Sequence, residues 1–90
     1  MSWTIPVNYR NRIPDYMHVG VEAYVNDHRI PGGFLRSVFS NDLVASYGRA
    51  DLENRAALPA YIELMWNHMP DDSWGNCEKY AAWIKGETGK

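Results

Sequence analysis

Between Gly32 and Pro59 the chain offers a helix start or stop every few residues, so this stretch has room for short helices and little else. Gly32-Gly33, Asn41-Asp42 and Gly48-Arg49-Ala50-Asp51 punctuate runs of apolar residues. Amide, carboxylate and guanidinium groups are thereby brought close to apolar neighbours, where an unpaired polar group costs ~1–3 kcal/mol. Those groups must find partners inside the protein, in another chain or in a ligand.

The flanking segments read in the same way. Residues 1–12 lack helical periodicity, carry Pro6, and place Trp3, Ile5, Val7 and Tyr9 in alternation. They form either a short strand or an extended arm. A lone strand needs a partner, so the pattern favours an arm that packs on the body or reaches a neighbouring chain. Pro14 suits a helix start, and Ile13, Met17, Val21, Tyr24 and Val25 follow at helical spacing, predicting a helix from Pro14 to Asn26. Ile30-Pro31 then disfavours helix.

Gly33 can open a second helix with Phe34, Leu35, Val38 and Phe39 on its apolar face. Ser40 or Asn41 can cap a short third helix, Asp42 to Tyr47, which Gly48 would end in a left-handed conformation. Asp51 reads as the cap of the longest helix, whose stripe Leu58, Ile62, Met65, Trp66 and Met69 faces inward, with a bend or restart at Pro59. After the loop Pro70 to Gly75, Asn76 caps a final helix that turns Tyr80, Ala81 and Ile84 inward and stops at Gly86. Residues 87–90 form a frayed tail. The expected architecture is a compact all-α single domain, 13–86, of four to five short helices with an N-terminal extended arm.

Composition narrows the function. A chain of 90 residues buries only ~60–65% of the surface its unfolded form exposes. Four Trp and six Tyr exceed what so small a core easily covers, placing some at interfaces or pockets and favouring a homo-oligomer. A net charge of −2 with interspersed signs argues against a phosphate-backbone binder, which relies on clustered Lys and Arg. The single cysteine, Cys77, allows no intrachain disulfide and no thiolate zinc cluster. The N-terminus lacks a signal-peptide pattern, and no apolar run reaches the ~20 residues of a membrane span, so a cytoplasmic protein without membrane contact is expected.

No residue set spells out a reaction. His18, His28 and His68 match no common metal spacing and read as exposed or capping side chains. None of the serines, nor Cys77, lies in a nucleophile-elbow sequence, and Asp71-Asp72 reads as a solvated turn. The expectation is a non-enzymatic protein without cofactor or metal. Two groups remain as candidate binding residues. Gly32 and Gly33, with Arg36 one turn on, either make a tight interhelix turn or admit a phosphate. Arg49, Asp51 and Asn54 either cap and brace their helices or form a recognition patch. Among the tryptophans, Trp66 reads as core, while Trp74, in a loop beside a glycine, reads as the exposed, partner-binding one.

The order Gly32-Gly33-Phe34-Leu35, Asn41-Asp42-Leu43, Arg49-Ala50-Asp51, Asn54, Ala57-Leu58-Pro59, Trp66-Asn67, Pro70, Trp74-Gly75 and Trp83-Ile84 resembles a family of small proteins encoded by tailed phages and prophages. The likeness spans about Ile13 to Ile84. It departs at Asn76-Cys77-Glu78, where the family pattern has Ser-Pro-Glu, a change that bears on capping more than on chemistry. No residue role comes with the resemblance. It implies a setting, a bacterial host cell, in which small accessory proteins bind a host or defence protein or sequester a defence signal. The expected function is stoichiometric binding of such a protein. The alternatives are a pocket for a small nucleotide near Gly32-Gly33 and a structural or DNA-associated phage component, with nucleic acid disfavoured by the charge.

Overall fold

In a computed structural model, residues 2–86 are described. They form six α-helices: α1 Val7–Arg10, α2 Asp15–Asp27, α3 Gly33–Phe39, α4 Leu43–Arg49, α5 Leu52–His68 and α6 Cys77–Ile84, with a 3-10 turn at Asp71–Ser73 before α6. The described residues contain no strand. The all-α expectation holds, and the expected frayed tail, 87–90, lies outside the described residues.

Side-chain caps set the starts of α4, α5 and α6. The Asp51 carboxylate accepts from the Asn54 N–H (2.8 Å) at the start of α5, and Asn76 does the same for Lys79 N–H (2.7 Å) at the start of α6. Each satisfies a donor that the first helical turn leaves unpaired. The break between α3 and α4 differs from the sequence expectation. Asp42, rather than Ser40 or Asn41, caps α4 by accepting from Ala45 N–H (3.1 Å). Asn41 instead takes the left-handed conformation, φ 62°, with Asn41 N–H bonded to Val38 O and Asp42 N–H to Ser37 O. This is a Schellman closure of α3. Gly48 ends nothing: it lies inside α4, which stops where Ala50 turns extended. Asn41 had already made the reversal, and the next cap, Asp51, needs extended chain before it. At the far end of the chain, Gly86 does take the left-handed conformation (φ 70°) just beyond α6, as expected of a stop.

Helix α5 runs through Pro59 as one element. The proline is exposed while Ala57, Leu58, Ala60 and Tyr61 around it are buried, so the missing N–H falls on the outer side of the helix.

The core centres on Tyr24 of α2, which has no exposed surface. Its ring stacks on Phe39 (centroids 4.3 Å apart) and on Tyr80 (5.8 Å). Its hydroxyl donates to the Ser73 carbonyl (2.6 Å), and its own carbonyl accepts from the Trp83 indole N–H (2.8 Å). One residue thus ties α2 to α3, to the 3-10 turn and to α6. Burial pushes the Tyr24 phenol well above its ordinary pKa.

The N-terminal segment packs on its own body. Trp3 and Asn26 exchange two hydrogen bonds (2.7 and 2.8 Å), Ile5 N–H donates to Glu22 (3.0 Å), and Ile5 and Tyr9 are core residues. The segment is extended only through Pro6; Val7–Arg10 closes one helical turn. The apparent alternation arises because Ile5 and Tyr9 sit four apart on one side while Val7 points away, 81% exposed.

Candidate functional site

Two concavities lie on either side of α4. The first is an apolar groove between α4 and α5, about 220 Å³ in volume, larger than the ~150 Å³ cavity that suffices to take up benzene. Val38, Leu58, Tyr61 and Met65 belong to its lining from the core, and Leu43, Ile62, Trp66 and Trp74 complete its apolar lining. Leu43 (60% exposed), Ile62 (49%) and Trp66 (76%) reach solvent. The groove exists because the Schellman closure at Asn41 turns the chain sharply and starts α4 beside α5. Two polar residues along the groove are engaged locally: Asp42 caps α4, and the Ser46 hydroxyl donates to the Asp42 carbonyl (2.7 Å).

This placement inverts the sequence expectation for two tryptophans. Trp66 is exposed, and Trp74 is half-buried. The two rings meet edge to face, 6.2 Å between centroids. Trp74 Nε1 is the one buried side-chain donor without a partner among the described residues. An unpaired donor of this kind costs ~1–3 kcal/mol. The stripe on α5 spans more than one face: Leu58, Met65 and Met69 are buried, while Ile62 and Trp66 form its outer edge.

The second concavity is polar, about 290 Å³, lined by Arg36, Ser37 and Ser40 of the α3 end, Asp42, Ala45 and Arg49 of α4, and Cys77 at the start of α6. Arg49 also crosses to Gly33, where an added Cβ would stand 3.2 Å from Nη1. Gly33, Arg36 and Arg49, which belong to two separate candidate groups in the sequence, are therefore neighbours. Gly32 is exposed and lines neither concavity, so the opening lies a turn further along than the glycine pair suggests.

Asp51 and Asn54 go elsewhere. Asp51 caps α5 and accepts from the Tyr16 hydroxyl, and Asn54, only 4% exposed, accepts from the Tyr61 hydroxyl (2.7 Å). The Tyr16–Asp51 bond braces α2 against the start of α5, the Asn54–Tyr61 bond lies within α5, and both polar side chains thus have intrachain partners. The Tyr16 hydroxyl, followed by the Asn54 N–H, holds the Asp51 carboxyl below its ordinary range, and the same contact raises the Tyr16 phenol to about 12. The Arg12 side chain similarly lowers the Glu63 carboxyl through a bidentate pair at 2.8 and 2.9 Å.

The histidines do local work. His18 Nε2 lies 2.8 Å from the Ile13 carbonyl, His28 Nδ1 lies 2.6 Å from the Trp83 carbonyl and forms the left-handed end of α2, and His68 packs on the Tyr9 ring. None of them lines either concavity. No group of three potential metal ligands occurs among the described residues, and no described helix is long and apolar enough to cross a membrane. Comparison of the chain with protein-family models, with curated proteins and with solved structures finds no match.

Proposed function

We propose that this chain is a stoichiometric binding protein that seats an apolar anchor of a protein partner in the α4–α5 groove. The carrying observation is the set Leu43, Ile62 and Trp66, large apolar side chains held in solvent around an apolar concavity. Burying one such side chain fully is worth ~1.5–3 kcal/mol, which favours a partner that covers this face. Aromatic side chains at the centre of such patches tend to dominate affinity. The sequence resemblance supplies the setting, an accessory protein of a phage or prophage acting on a host or defence protein.

Copurification from infected bacteria with wild-type bait and with Ile62→Asp bait tests this reading, with circular dichroism confirming that both are folded. A host protein retained in one-to-one amount by the wild type and lost by the variant is the expected result. Equal retention by both baits would overturn the groove as the binding surface. Solution mass is the companion measurement: a wild-type dimer that Ile62→Asp converts to monomer would place a second copy in the groove instead of a host protein.

A further inference from the structure

A different observation concerns the polar concavity on the other side of α4. Arg36 and Arg49 converge on it from different helices, and among the described residues neither guanidinium lies in an ion pair; the ion pairs present are Arg10–Glu22 and Arg12–Glu63. Arg36 has the Tyr80 ring at 6.0 Å as its aromatic neighbour. Arg49 has room beside α3 because residue 33 has no side chain. Two guanidiniums sharing a small cleft offer the planar, multi-donor geometry that matches phosphate oxygens.

We propose that this cleft binds a phosphate group carried on a small hydroxylated molecule, with Arg36 and Arg49 as its cationic ligands. Ser40 adds a hydroxyl at the end of α3. Asp42 is the one carboxylate in the lining among the described residues, and its Oδ1 already accepts from Ala45 N–H (3.1 Å). Its charge weakens the hold on a bare anion, while its remaining acceptor capacity suits a ligand hydroxyl. The volume, about 290 Å³, exceeds what a phosphate ion fills and leaves space for the group attached to it. The cleft therefore selects a sugar phosphate or nucleotide over inorganic phosphate.

Cys77 provides a direct reporter, being exposed, part of the lining and the only cysteine in the chain. The experiment compares ribose 5-phosphate with inorganic phosphate at equal ionic strength, reading thermal stability and the rate of Cys77 alkylation. Ribose 5-phosphate is expected to raise Tm and to slow alkylation severalfold, and to do so at lower concentration than inorganic phosphate. Arg36→Gln and Arg49→Gln should each weaken binding roughly tenfold or more, the usual loss for a charge-assisted hydrogen-bond partner. Asp42→Asn keeps the helix cap and should improve binding of inorganic phosphate relative to ribose 5-phosphate. Arg36, Arg49 and Asp42 are exposed, so all three variants should fold, with circular dichroism as the check. Absence of both protection and Tm shift with either probe would overturn the site. Equal effects in wild type and Arg49→Gln would overturn it too, as nonspecific ion binding.

Discussion

The surroundings of Tyr24 and the α4–α5 groove are both built from aromatic and aliphatic side chains, yet they treat them in opposite ways. Around Tyr24 the rings stack within a closed volume, and the Tyr24 hydroxyl and Trp83 indole each reach a carbonyl. At the groove, Trp66 and Ile62 stand in solvent, and the Trp74 indole N–H has no partner among the described residues. Hydrophobic content is therefore no guide to role in this molecule. What separates the two regions is exposure: Tyr24, Phe39, Tyr80 and Trp83 are buried, while Trp66 and Ile62 reach solvent.

The hardest test of this contrast is Tyr24→Ala. It removes two stacked contacts and the hydroxyl that holds the 3-10 turn, and should cost about 3–5 kcal/mol in urea unfolding. Tyr24→Phe keeps the rings but leaves the Ser73 carbonyl without its donor, at about 1–3 kcal/mol. If both changes cost under 1 kcal/mol, the centre of the core lies elsewhere. Trp66→Ala at the groove should cost only about 0.5–1 kcal/mol in the same assay, from its edge contact with Trp74, and a larger loss would make Trp66 a core residue after all.

The smallest effect sharpens the comparison at the α2–α5 brace. Asp51 has a lowered pKa in the folded chain, so its contribution is present above the ordinary carboxylate value, ~3.9, and is lost as pH falls through the folded value. Tyr16 has a raised one, so its contribution is present below the ordinary phenol value, ~10, and is lost as pH rises toward about 12. The Tm difference between wild type and Tyr16→Phe should therefore be greatest near neutrality and shrink in both acid and alkali. A difference constant across pH would show that Tyr16 acts by packing alone.

Much of the helical layout was legible because it depends on local chemistry. The caps Asp51 and Asn76 and the start at Gly33 declare themselves within four residues of sequence. The reversal at Asn41 was harder to place, since Asn41 and Gly48 both tolerate a left-handed backbone and only the packed chain decides which adopts it. The exchange of roles between Trp66 and Trp74 has a similar origin. Ile62 and Trp66 share a helical stripe with Leu58 and Met65, and a broad apolar face does not reveal which edge a neighbouring helix covers. The proximity of Arg49 to Gly33 joins residues sixteen apart, beyond the reach of any helical period. The pairing of Asn54 with Tyr61 is a seven-residue spacing that could have been read, two turns apart on one face of α5.

The amide N–H groups of Trp3 and Ile5 bond to the side chains of Asn26 and Glu22 rather than to backbone. Release of residues 3–5 would therefore break side-chain bonds and expose Ile5 without breaking a helical backbone bond. Hydrogen exchange at these two amides would time this release separately from global unfolding. Asn26→Ala should speed exchange at Trp3 while the amides of α5 keep their protection. Proteolytic trimming past Pro6 would strip Ile5 from the interior.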